Sequence, residues 1–269
     1  MRKVSAVLLN KIGILACVAA AAWMGGNGVP GLAPDRVAAL PLEDAKVRVN
    51  VAGRQRMLTQ RMTKASCMIA LGVERDFHMQ MLEASHADFA KALAALEHGD
   101  SDLRITEPEN NSKVLRGLEL VKSHWTPVDD AIRGMMGADD FAGTRAEVLY
   151  AENMPLLVEM NEVVSLIEQA HANPGQMLLA SAVAINIAGR QRMLSQRIGK
   201  EFCQLVLRWN TETVSTALRE TIGLFEASHG ALANGMQAAG IIAPPTDEIG
   251  NALDALKHPI KNLNRKGFP

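Results

Sequence analysis

Six arginines stand at spacings where their chemistry would matter. The string "GRQRMLTQR" begins at Gly53 and "GRQRMLSQR" at Gly189, so that Arg54, Arg56 and Arg61 recur as Arg190, Arg192 and Arg197. The offset is 136 residues, and Gln60/Gln196, Lys64/Lys200 and Cys67/Cys203 keep it. A guanidinium is a permanently charged planar fork, and it suits a planar oxyanion held in two-pronged geometry. On a helix, Gly53, Arg56, Met57, Gln60, Lys64 and Cys67 share one face, with Arg54 and Arg61 on the neighbouring one. A glycine inside a helix costs about 1 kcal/mol relative to alanine, which is tolerable where another backbone comes close. Gly53 and Gly189 are therefore expected at a close helix–helix crossing, with Arg56 and Arg192 reaching into the same place. Two converging guanidinium groups repel unless an anion lies between them. The bland alternative is a solvated face on which each arginine pairs with a nearby glutamate. Repetition of glycine and arginine in one register favours a ligand site, made of Gly53, Arg56, Arg61, Gly189, Arg192 and Arg197.

Other reactive residues carry less. Cys67 and Cys203 occupy matched positions and suit two small buried residues inherited by duplication better than a disulfide, for which their Cα atoms must lie within about 7 Å. No CxxC, CxxCH or paired-cysteine spacing supports a haem or zinc. The string "EASH" occurs at Glu83–His86 and Glu226–His229 at an offset of 143, seven more than the arginine string. An insertion of about two turns, with a face drift of only ~20°, would make the second hairpin slightly longer. His86 and His229 would then be equivalent, capping or hydrogen-bonding near their helices in preference to holding a metal. Met57, Met62, Met68, Met79 and Met81 fall at helical spacing and suit a core better than a copper site. Ser85 and His86 diverge on a helix, and Glu83 does not complete a triad. No catalytic residue, metal ligand or cofactor is expected.

The elements that must position the arginines are helical. The chain has 269 residues, 48% hydrophobic but only 4% aromatic, with a net charge of −1. A core of Ala, Leu, Met and Val suits packed helices, and the near-neutral balance argues against a nucleic-acid partner. Residues 1–40 have the pattern of a signal peptide and flexible leader: Arg2 and Lys3, an apolar run ending near Met24, small residues at 19–22, then glycines and prolines. Retention as a short anchor, or lipidation at Cys17, are the alternatives. Periodicity predicts helices over about 42–71, 73–97, 108–136 (opened by Pro108 and disturbed at Pro127) and 144–171, a break at "ANPGQ", then helices over 177–209, 211–239 and 247–263. The expected fold is all-α, an antiparallel up-down bundle in tandem four-helix-type repeats, with one domain over 41–172 and a partial second over 176–269.

The strings "AGRQRMLTQRM" and "AGRQRMLSQRI" resemble the signature of the PilJ-type domain, the N-terminal sensory domain of type IV pili methyl-accepting chemotaxis transducers, itself related to the periplasmic domain of NarX-type nitrate/nitrite sensors. "NMPLLVEMNEVVSLIEQ" at Asn153 is similar to that domain's last helix. The resemblance implies an up-down four-helix bundle with this motif on the first helix. In the nitrate sensors a dimer brings two copies together around the anion. It thereby implies a small oxyanion ligand, nitrate or nitrite, with Arg56 and Arg192 as the central pair. The implied protein acts through a membrane receptor or sensor kinase, or forms a homodimer. A helical adaptor that binds no ligand is the competing expectation.

Overall fold

The computed structural model describes residues 42–171 and 179–265, with side chains over 44–171 and 186–256. The signal, leader and Cys17 expectations, and the break at 172–176, fall outside the described residues. Those residues form seven α-helices and one short 3-10 turn: α1 (Leu42–Ala70), α2 (Arg75–His98), α3 (Ser112–Ala138), α4 (Thr144–His171), α5 (Leu179–Val206), α6 (Thr211–Asn234) and α7 (Asp247–Arg265), with the 3-10 turn at Gln237–Ala239.

Helices α1 to α4 make an up-down four-helix bundle. α1 packs on α2 and α4, α3 packs on α4, and α2 meets α3. Leu58, Met62, Leu82, Phe89, Leu118, Ile132 and Met160 fill its interior, all essentially fully buried. Phe89 and Trp125 stack at 4.3 Å between ring centres. α3 and α4 approach closely at Gly117, where an added Cβ would stand 3.0 Å from Val163 and 3.1 Å from Leu166.

The start of α3 differs from expectation for a local reason. α3 begins at Ser112, not Pro108, because Asn111 caps it by accepting from the backbone N–H groups of Lys113 and Val114. Pro127 and Pro155 sit inside continuous helices.

The second repeat copies the first without insertion. α2 and α6 each have 24 residues. Each is preceded by a left-handed residue, Glu74 and Asn210, and followed by a positive-φ glycine, Gly99 and Gly235. The isolated bridges Asp100–Ile105 and Met236–Ile241 also keep the 136-residue spacing. The expectation of a longer second hairpin therefore fails. The two "EASH" strings sit two turns apart on equal helices, so His86 and His229 are not equivalent. Neither caps a helix. His86 is buried in mid-helix and pairs with Asp129 of α3, whereas His229 is buried and stacked on Phe225.

The repeats join through α1 and α5. Arg56 meets Asn186 and Lys64 lies over Gly199. Against the expectation of two unlinked buried residues, Cys67 is disulfide-bonded to Cys203, because the helix pairing brings their Cα atoms to 6.1 Å. Partner numbers rise together along both helices, so the two run parallel and in matched register, related by an approximate twofold. α5 also packs on α6, and α6 on α7.

Candidate functional site

The first helices of the two repeats bring four of the six singled-out residues to one point. A Cβ added at Gly189 would stand 3.8 Å from Nη2 of Arg56 and 3.9 Å from Nη2 of Arg192. One added at Gly53 would stand 3.5 Å from Arg56 Nη2. Guanidinium groups from opposite helices thus both lie within 4 Å of one place. The glycines are not there for a backbone crossing, as their helix positions suggest. Beyond their own helix backbones and adjacent residues, the only described atoms within 4 Å of an added Cβ are guanidinium nitrogens, at ordinary contact distance.

Arg56 is only 4% exposed, while Arg192 is exposed at the edge of the seam. Arg56 Nη2 donates to Asn186 Oδ1 at 3.1 Å, Nη1 reaches Asn161 Oδ1 at 3.5 Å, and Nε reaches the Gly53 carbonyl at 3.4 Å. Asn186 in turn donates through Nδ2 to Glu168 Oε2 at 3.4 Å. Burial lowers the Arg56 pKa to about 10, helped by the charges of Arg190 and Arg192 and opposed by Glu168. Arg190 is lowered by burial and raised by Glu168. Burial raises the Glu168 carboxyl, against the pull of Arg56 and Arg190. Arg56 and Arg190 therefore share one carboxylate across the α1–α4–α5 junction, and Arg192 adds positive charge beside Arg56 from the exposed edge.

Arg61 and Arg197 do not join this cluster. They lie about 7.5 Å further along their helices, at 1.5 Å per residue. Arg197 pairs with Glu201 at 2.7 Å one turn on, and Arg61 bears on Lys64, whose pKa falls through burial and that charge. A buried polar joint links α4 to both helices near the second arginine level. Asn153 of α4 donates to the Thr59 carbonyl and the Thr63 hydroxyl, both at 2.8 Å, and accepts from Lys200 Nζ at 2.8 Å. Lys200 is 3% exposed, and burial pushes its pKa down to about 8, with Glu201 opposing and Arg197 adding to the fall.

Sequence reasoning missed Asn161, Glu168, Asn186 and Arg190 as members of the cluster. Asn161 and Glu168 are seven residues apart on α4, one helical face. Asn186 opens the second arginine string, but its counterpart Asn50 is exposed. Arg54, the counterpart of Arg190, instead pairs at the surface with Asp88 at 2.6 Å. Repetition alone therefore could not tell which of the two would turn inward. A second polar cluster was also missed. Fully buried Arg48 lies beside Asp44 and Glu109, donates to the carbonyls of Leu96 and Glu107, and Glu109 accepts from His171 at 2.9 Å. The repeat offers no hint of it, because position 184 is alanine.

The family model described as "Type IV pili methyl-accepting chemotaxis transducer N-term" matches residues 42–154 and again 176–266. The chain belongs to this PilJ family, a sensing and signalling domain of chemotaxis transducers. No curated protein and no solved structure matches the chain. No described helix is long and apolar enough to cross a membrane.

Proposed function

We propose that the protein is an exported, periplasmic sensing module that binds one small oxyanion, nitrate or nitrite in kind, between Arg56 and Arg192, and signals through a partner. The observation that carries this is the approach of both guanidinium groups to one point beside Gly189. Two like charges held that close are stabilised by an anion of matching planar geometry. In the nitrate sensors that the motif resembles, two chains supply the two arginines. Here the in-register pairing of α1 and α5 imitates that arrangement within one chain. Arg61 and Arg197 then support the helices and do not touch the anion. The disulfide between Cys67 and Cys203 supports an oxidising compartment. The chemistry proposed is binding and not catalysis.

Isothermal titration of the full chain with nitrate and with nitrite tests the proposal. One anion per chain is expected, with binding lost in Arg56→Ala and weakened at least tenfold in Arg192→Ala. Absence of binding heat for both anions overturns it.

A second proposed reading rests on exposed Val206, Leu224, Ile249 and Leu256 in the second repeat. Exposed apolar side chains of this size on α5, α6 and α7 suit docking on a membrane receptor or on another copy. Sedimentation over a concentration series separates self-association from a monomer that needs a different partner.

A further inference from the structure

We infer that Glu168 is an internal competitor for the anion, holding the arginine cluster in a satisfied, ligand-free state through Asn186. The inference rests on the proposed anion site.

The geometry is a relay. Arg56 Nη2 donates to Asn186 Oδ1, and Asn186 Nδ2 donates to Glu168 Oε2. The amide thus passes the demand of a buried cation to a carboxylate on another helix. Glu168 bears electrostatically on both Arg56 and Arg190. No described ion pair closes Glu168 directly onto either arginine. Asn186 occupies one donor of Arg56 in its place. An incoming oxyanion that takes the Nη2 N–H of Arg56 now given to Asn186 must displace the Asn186 amide oxygen. It must also tolerate the standing negative charge of Glu168. Both effects weaken binding, and a low local dielectric enlarges the second.

Of the duplicated Asn and Arg positions, only the second repeat's Asn186 and Arg190 enter the arrangement. Asn50 and Arg54, the counterparts of Asn186 and Arg190, are exposed and lie outside it. One carboxylate therefore sets the threshold for a site made from two repeats. Removing its charge leaves three arginines and no internal counter-ion, so anion affinity should rise. When an anion takes that donor, Arg56 loses its bond to Asn186 and α1 loses one side-chain tie to α5, while Asn186 Nδ2 still donates to Glu168. Occupancy is thereby coupled to the fit of α1 against α5.

The test is titration of nitrate into the full-length protein and into Glu168→Gln and Glu168→Ala, with Glu162→Gln as control. Glu162 is an exposed acid on the same helix, so its variant carries the same change in net charge. Helical content and melting temperature establish that each variant is folded. Nitrate should bind Glu168→Gln and Glu168→Ala at least tenfold more tightly than wild type, and Glu162→Gln within twofold of wild type. Adding Arg56→Ala to Glu168→Gln should abolish the gain. Unchanged or weaker binding in both Glu168 variants, with wild-type binding still lost in Arg56→Ala, overturns the competitor role and leaves the anion site standing. An equal gain in Glu162→Gln also overturns it, because net charge alone then accounts for the effect. No nitrate binding by wild type or by any Glu168 variant overturns both the site and the competitor.

Discussion

Buried cations set the energetic character of this molecule, and each is handled differently. Arg48 is neutralised locally by Asp44 and Glu109. Removing one member of such a cluster leaves an uncompensated buried charge, so Arg48→Met should lose about 3–5 kcal/mol of stability by urea denaturation. Burial alone would raise the Glu109 carboxyl. The hydrogen bonds from His171 and the Asn111 backbone N–H, with the charges of His171 and Arg48, hold it below the ordinary value of 4.5. Its contribution is therefore complete above pH 4.5 and is lost as pH falls through the lowered value. Denaturation midpoints of wild type and Glu109→Gln should converge on acidification below that point. Lys200 has the opposite sign. Its pKa falls from 10.5 to about 8, so at pH 7 it is charged in both the folded and unfolded chains and the burial cost is felt in full. Between pH 8 and 10.5 the unfolded chain binds more protons, and stability rises. The gain relative to Lys200→Met should approach on the order of 3 kcal/mol by pH 10.5, read from denaturation curves at stepped pH.

At the scale of elements, α1 and α5 explain why glycine recurs in a helix. A methyl at Gly53 or Gly189 would find only guanidinium nitrogens, at 3.5 Å or beyond, which is ordinary contact. Gly53→Ala and Gly189→Ala should each raise stability by about 0.5–1 kcal/mol, measured by thermal melting. On the proposed function, Gly189→Ala should also weaken nitrate binding, because its Cβ takes the space between the two guanidinium groups. A gain in stability with a loss of binding is the expected signature of a residue kept for function. Helix positions were legible because the 3.6-residue pattern runs through every element. The α3 start was misplaced because Pro108 and Asn111 both suit a helix entry, and only the Asn111 side chain reaches the free N–H groups of Lys113 and Val114.

For the whole molecule, the deciding feature is that two repeats pair through equivalent faces within one chain. The Cys67–Cys203 disulfide closes a loop of 136 residues and ties the pair covalently. Reduction, or Cys67→Ser with Cys203→Ser, should cost about 2–4 kcal/mol and uncouple the second repeat from the first. Non-reducing peptide mapping should recover a peptide joining the two cysteines, and urea melts with and without reductant should show the loss.

The sequence by itself determined the helical class, the duplicated hairpin, the family signature and the pairing candidates at Arg56/Arg192 and Cys67/Cys203. These are local properties, carried by periodicity and by repetition at constant spacing. The "EASH" strings show the limit of that method: two identical tetrapeptides invited an insertion that two equal 24-residue helices rule out. Only the tertiary structure decided that the repeats pair within one chain, that Arg190 turns inward while Arg54 turns out, and that Glu168 and Asn161 of α4 complete the cluster. Those outcomes depend on which helices meet at a junction. Packing breaks the equivalence of repeated residues, because α4 lies along the seam of α1 and α5 and so gives two copies of one motif different surroundings.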